Sequence, residues 1–222
     1  MHIGLIGGIG VAATVVYYQR LTAAMAARGR PLELTIVHGD IAELIDNNLN
    51  WRPEAQARSY ARLIGRLRDA GADCAAITSL GGHFCFAETA AISPLPLISG
   101  IEPLAAAFRA EGLSRVGILG TANLMRTRLF GGLEGIEAVV PDQDLEALGL
   151  TYQAVATSGR CTEDQRAAFF AAGAEMVQAQ GAEAVILAGT DLNLAFDGHD
   201  PGYRVIDALD IHVARLAELA AG

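Results

Sequence analysis

The sequence predicts an α/β protein made of two similar lobes with parallel sheets, with a cleft between the lobes. Two observations lead to this. The first is an internal repeat. Ile3-Gly4-Leu5-Ile6-Gly7-Gly8 returns 113 residues later as Val116-Gly117-Ile118-Leu119-Gly120-Thr121. Gly71-Ala72-Asp73-Cys74-Ala75-Ala76-Ile77-Thr78-Ser79 returns 110 residues later as Gly181-Ala182-Glu183-Ala184-Val185-Ile186-Leu187-Ala188-Gly189. Two matches at nearly one offset indicate a duplicated unit of about a hundred residues, the size of a small domain. The second observation is that short apolar runs alternate with longer amphipathic stretches, the pattern of β-α units and parallel sheets.

In the first half, strands are expected at 3–6, 32–37, 74–78 and 97–99, and helices at 12–28, 53–70, 83–91 and 101–110. In the second half, strands are expected at 116–119, 138–140 and 184–187, and helices at 123–131 and 162–180. Thr162 and Gln165 have the spacing of a capping box at the start of the last of these. A short strand at 205–206 and a helix to residue 220 complete the chain. No Ser- or Pro-rich linker separates the halves. The expected division is residues 1–101 plus 205–222 for lobe 1 and 102–204 for lobe 2.

With 222 residues, of which 52% are hydrophobic and 18% charged, the chain has enough apolar material for real cores and too little charge for disorder. The net charge of -9 and the absence of any Lys/Arg run argue against nucleic acid as a partner. No apolar run approaches the ~18 residues of a membrane span, and the N-terminus reads as a buried strand rather than a signal peptide. Cys74, Cys85 and Cys161 are odd in number and show no CxxC spacing, which points to a reducing cytoplasm and against a disulfide frame or zinc site.

Gly8-Ile9-Gly10-Val11-Ala12-Ala13 fits G-x-G-x-x-A between a strand and a helix, the turn that seats a dinucleotide's pyrophosphate. Asp40 lies farther from Gly10 than the ~20 residues such a fold places before its ribose-binding acid, and the second copy of the turn, Gly120-Thr121-Ala122-Asn123, loses the glycine pattern. A tight turn holding a small anion is the preferred reading, a dinucleotide-binding oxidoreductase the lesser one. Thr121 and Asn123, at the start of a second-lobe helix, are suited to capping it or holding a carboxylate.

The run Ile3 to Gly10, Thr14, Tyr17-Tyr18, Gly71-Ala72-Asp73, Gly120-Thr121, Gly181-Ala182, Thr190-Asp191, Asp207 and His212 resembles the aspartate/glutamate racemase superfamily over nearly the whole chain. The resemblance implies two pseudo-symmetric α/β lobes, a small carboxylate substrate, no cofactor, and a homodimer. It also implies one catalytic cysteine after the third strand of each lobe, one thiolate removing the α-proton and the other thiol returning it. The first motif of the family reads Cys-Asn-Thr-x-His; here the stretch is Ser79-Leu80-Gly81-Gly82-His83. The second reads Gly-Cys-Thr-Glu; here it is Ala188-Gly189-Thr190-Asp191. Ser79 and Gly189 stand where the resemblance puts the cysteines. A serine hydroxyl is far less acidic than a thiol, and glycine has no side chain, so two-thiol racemisation is not expected.

Three functions stay open at this point, and the preferred reading is an enzyme of this superfamily acting on a small carboxylate-type metabolite as an isomerase, lyase or hydrolase without two cysteines. One is an enzyme in which Ser79, His83, Asp191 and His212 supply nucleophilic or hydrolytic chemistry. Another is one-sided acid/base chemistry in an isomerase, dehydratase or decarboxylase, with Gly189 making room for a bulkier substituent or a water. The third is a catalytically inactive small-anion-binding homologue. Gly8, Gly10, Gly81, Thr121, Asn123, Gly189 and Thr190 are the expected ligand contacts. Arg52, in the polar run 46–53 read as a lid, is the expected partner of a substrate carboxylate. Asp197, His199 and Asp200 suggest a metal, but a Gly/Pro loop with no fourth ligand favours a turn, and no metal site is expected.

Overall fold

Ile3-Gly4-Leu5-Ile6-Gly7 is buried at every position, which is what a strand covered on both faces of a parallel sheet requires. The computed structural model describes all residues, 1–222. In chain order the elements are β1 (Ile3–Gly7), α1 (Val11–Ala27), β2 (Leu34–His38), α2 (Ile41–Leu49), α3 (Pro53–Asp69), β3 (Cys74–Ile77), α4 (Phe86–Ile92), β4 (Leu97–Ile98) and α5 (Glu102–Ala110). There follow β5 (Arg115–Leu119), α6 (Ala122–Arg126), β6 (Glu137–Val139), α7 (Leu145–Ser158), α8 (Glu163–Gln178), β7 (Ala184–Leu187), α9 (Asn193–Phe196), β8 (Val205–Asp207) and α10 (Ala208–Ala221). Short 3-10 turns cover Gly81–Cys85, Leu129–Gly131 and Thr190–Leu192.

Two four-stranded parallel sheets result, ordered β2-β1-β3-β4 and β6-β5-β7-β8. The identical order is the structural form of the sequence repeat. Register makes the match residue by residue. Ile6 faces Ile77 in one sheet and Leu119 faces Leu187 in the other. The next amides, of Thr78 and Ala188, donate to the carbonyls of Ile6 and Leu119. Ser79 and Gly189 therefore occupy the same place, directly beyond the strand, in their respective units.

The chain divides into one unit of Met1–Gly100 with Asp210–Gly222 and a second of Ile101–Leu209. The division differs from the expected one at β8. Parallel pairing of Val205–Asp207 with β7 keeps these residues in the second unit, and the chain joins the first only from Asp210, within α10. In the first unit Tyr17, Leu21 and Met25 of α1 and Tyr60, Ile64 and Leu67 of α3 are buried at helical spacing. In the second unit Phe169, Ala172 and Met176 of α8 do the same.

Other differences have local causes. The expected helix at 123–131 ends at Arg126, because Arg128, Leu129 and Phe130 take positive φ. The expected helix at 83–91 begins with the 3-10 turn before α4. The capping box at α8 is present, Thr162 Oγ1 accepting from the Gln165 amide and Gln165 Oε1 from the Thr162 amide. The expected lid at 46–53 is largely helix. Asp40 caps α2 by accepting from the Ala42 amide, and Asn47 and Asn48 point inward rather than into solvent.

Candidate functional site

Each unit carries the same device, a strand that ends in a tight 3-10 turn. In the first unit the Gly82 amide donates to the Ser79 carbonyl at 3.1 Å; in the second the Leu192 amide donates to the Gly189 carbonyl at 2.9 Å.

At the first turn Ser79 is 7% exposed and its Oγ accepts a 3.3 Å bond from the Gly82 amide. The hydroxyl thus helps cap the turn. His83 does not touch that hydroxyl. The Gly100 amide donates to His83 Nε2 at 3.0 Å, which makes Nε2 the lone-pair nitrogen. Nδ1 therefore carries the proton and donates to the Ser79 carbonyl at 2.8 Å. Both ring nitrogens are committed to backbone groups that cannot exchange roles. Burial lowers the His83 pKa to about 4, against a smaller opposing effect of the Ser79 carbonyl. This neutral, fixed ring is not placed to activate Ser79, and the Ser–His relay considered from the sequence does not form.

His212, from α10, completes the same buried group. Its Nδ1 and the Tyr17 hydroxyl are bonded at 2.8 Å, and its ring centre lies 6.3 Å from that of His83. Burial, then the neighbouring His83, lower its pKa to about 3. Gly100 lies between the two rings, where a Cβ would sit 2.8 Å from His212 Nδ1 and 2.7 Å from Leu80 Cδ2. The histidines tie α1, α10, the end of β4 and the first turn together, which is a structural role.

Asn48 of α2 donates to the Gly81 carbonyl at 3.2 Å, so this expected ligand contact is bonded from within its own unit. Arg52 pairs with Asp46 at 2.8 Å on the surface and is not aimed at the turn. Trp51, 53% exposed, lies 5.8 Å from Phe84 of the turn, ring centre to ring centre. Cys85 is fully buried, and burial pushes its thiol up to about 12, so it is not a substitute thiol.

Near the strand ends, Gly8 and Gly10 have φ of 81° and 108°, the region that favours glycine. The Gly8 amide is bonded to Thr14 Oγ1 at 2.9 Å, and no side chain caps α1. Asp40, the candidate ribose acid, is spent on capping α2.

At the second turn Asp191 and Thr190 are each 1% exposed. The Tyr152 hydroxyl donates to Asp191 Oδ2 at 3.3 Å. Its ring lies over Gly189, where a Cβ would come within 2.3 Å of Cε2. The position that was expected to make room for a substituent or a water is filled by a phenol ring. Burial, and then the Asp191 charge, raise the Tyr152 pKa, so it is a neutral donor and not a base. Thr121 caps α6, accepting from the Leu124 amide at 3.2 Å, with Asn123 half-buried in its first turn. His199 bonds the Asp197 carbonyl, and Asp200 accepts from the Gly202 amide, so both serve the loop.

Tyr152 is the residue at this turn that the strand-end motifs do not reveal. It comes from α7, which the sequence marks by Asp144, whose Oδ1 accepts from the Glu146 and Ala147 amides, and by Gly159 at its left-handed C-terminus.

Two units with equivalent strand orders, β2-β1-β3-β4 and β6-β5-β7-β8, each placing a glycine- or threonine-bearing turn at its strand ends, define a duplicated parallel α/β protein. The sequence profile of the Asp/Glu/Hydantoin racemase family matches residues 6–216, and the chain belongs to that family. Over all of this chain and 99% of the other, it is 27% identical to an aspartate racemase homologue from Pyrococcus horikoshii, with a TM-score of 0.79. It shares its fold with Picrophilus torridus aspartate racemase (20% identity, 100% and 95% of the two chains, TM-score 0.77). The fold is also that of Francisella tularensis glutamate racemase (15% identity, 98% and 80%, TM-score 0.64). No curated protein sequence matches the chain. No helix is long and apolar enough to cross a membrane.

Proposed function

We propose that this chain is a small-carboxylate-binding member of the family that does not racemise through two thiols. The observation that carries the reading is the state of the groups at the two strand-end turns. The Ser79 hydroxyl accepts from the Gly82 amide, both His83 nitrogens are bound to backbone, and Tyr152 lies over Gly189. Abstraction of a proton from carbon needs a base with an available lone pair and a suitable pKa. His83 has both ring nitrogens bonded, burial lowers the pKa of His212, whose Nε2 is unpartnered, and a buried phenol of raised pKa is no base. A carboxylate ligand is supported by family membership and by α1, whose N-terminal end follows Gly8 and Gly10 with no side-chain cap.

A second reading is favoured by one observation, the Tyr152–Asp191 hydrogen bond beside Gly189. Asp191 would then act as the single acid/base group of an isomerase or lyase. Hydrolysis by Ser79 has lost its histidine. Proton NMR of the protein with a panel of small carboxylates and amino acids in heavy water separates these. The binding reading predicts line broadening of a carboxylate with no loss of α-proton signal and no product. Product growth would establish the second reading, and a panel with neither broadening nor turnover would refute the first.

A further inference from the structure

We infer that Tyr152 and Gly189 form a coupled steric pair that closes the second turn, the ring taking the volume that any side chain at 189 would need. The inference deepens the proposed function, since it gives a physical reason why position 189, where the resemblance puts the second thiol, carries no side chain. Three observations carry it.

The first is the backbone at Gly189, φ -84° and ψ 110°. Every L-residue adopts that conformation, so glycine is not required there for its backbone freedom. The second is the surroundings. A Cβ at 189 would lie 2.3 Å from Tyr152 Cε2 and 2.8 Å from both Cδ2 and Cζ, far inside contact distance. The third is that the ring has little room to withdraw. Tyr152 is 5% exposed, and its hydroxyl is held by Asp191. Three residues earlier in α7, Gly149 lies so close to α6 that its own Cβ would be 2.7 Å from the Ala122 amide nitrogen. Leu148, Val155 and Ala156 bury the same side of the helix.

The equivalent place in the first unit is different. Ser79 keeps its side chain there, and the helix equivalent to α7, α2, supplies Asn48, which bonds the Gly81 carbonyl without crossing the Ser79 position. The duplicated protein thus has one turn with a functional group at its apex and one whose apex is occupied by a ring from its own unit.

The test is a stability cycle read as thermal midpoints of wild type, Gly189→Ala, Tyr152→Leu and the double variant, with Tyr152→Phe/Gly189→Ala as a fifth protein. Gly→Ala at a compatible φ normally stabilises slightly by restricting the unfolded chain. Here Gly189→Ala should lower the midpoint by about 5 °C or more, the scale of an overpacked core in a chain this long. With Tyr152→Leu the same substitution should become neutral or raise the midpoint. With Tyr152→Phe it should stay costly, because the ring and not the hydroxyl makes the clash. A rise on Gly189→Ala alone, or an equal fall in both the Tyr and Leu backgrounds, would overturn the pairing. Should Tyr152→Leu fail to fold, the sign of Gly189→Ala in the wild type still decides. The cycle reads stability only, so an unpaired result leaves the carboxylate-binding reading standing, and a silent carboxylate panel leaves the pairing standing.

Discussion

Lowering the pH from about 7 to about 5 should destabilise this protein through two histidines before any carboxylate is involved. His83 titrates near 4 and His212 near 3 in the folded chain, against 6.5 for a free histidine. The folded values lie below the unfolded one, so in this window the unfolded state binds protons that the native state refuses, and stability falls as pH falls. Both folded values lie under the window, so the loss depends chiefly on the unfolded value. It comes to about 2 kcal/mol for each histidine, or roughly 4 kcal/mol together. That is a large part of the 5–15 kcal/mol typical of a domain. The assay is urea unfolding at the two pH values for wild type, His83→Gln and His212→Gln. Each variant should start less stable, having lost a ring from a packed site, but should lose only about 2 kcal/mol on acidification. Equal stability of the wild type at both pH values, or an undiminished loss in both variants, would refute the claim that these rings are held neutral.

Gly100→Ala should cost about 1–3 kcal/mol in the same unfolding assay, because its Cβ would press on both His212 and Leu80. A neutral result would mean that the histidine pair is loosely packed. Ser79→Ala removes one long bond from a turn that the Ser79 carbonyl also secures. It should change stability by less than about 1 kcal/mol and leave carboxylate broadening intact. Loss of broadening at unchanged stability would make Ser79 a ligand contact.

Much of the architecture was legible because it rests on local pattern. The buried β1 run and its copy in β5, the repeat at β3 and β7, and the Thr162 capping box all read directly from residue order. The strand-end positions of Ser79 and Gly189 follow from the same repeat. What stayed hidden depends on groups far apart in the chain. That His83 and His212 are histidines is visible. That a Gly100 amide takes one lone pair, and that the Tyr17 hydroxyl holds the other ring, is not. Gly189 read as open space because nothing near it in sequence fills it, and the ring that does so comes from a helix whose only marks are Asp144 and Gly159. The inward turn of Asn47 and Asn48 was masked by their polarity, since Asn and Asp cluster in loops far more often than against a buried turn. The expected boundary at 205 and the contact division after Leu209 differ for a similar reason, because strand pairing is not local.

The measurement that bears most directly on the central claim is exchange of the α-proton of aspartate and of glutamate for deuterium, followed by proton NMR over many hours with the purified protein in excess. The account predicts an α-proton signal that persists at the rate of the protein-free control, with broadening confined to bound ligand. Washout of that proton with appearance of the opposite enantiomer would contradict it, and would mean that a base is at work at one of the two turns despite the bonds described here.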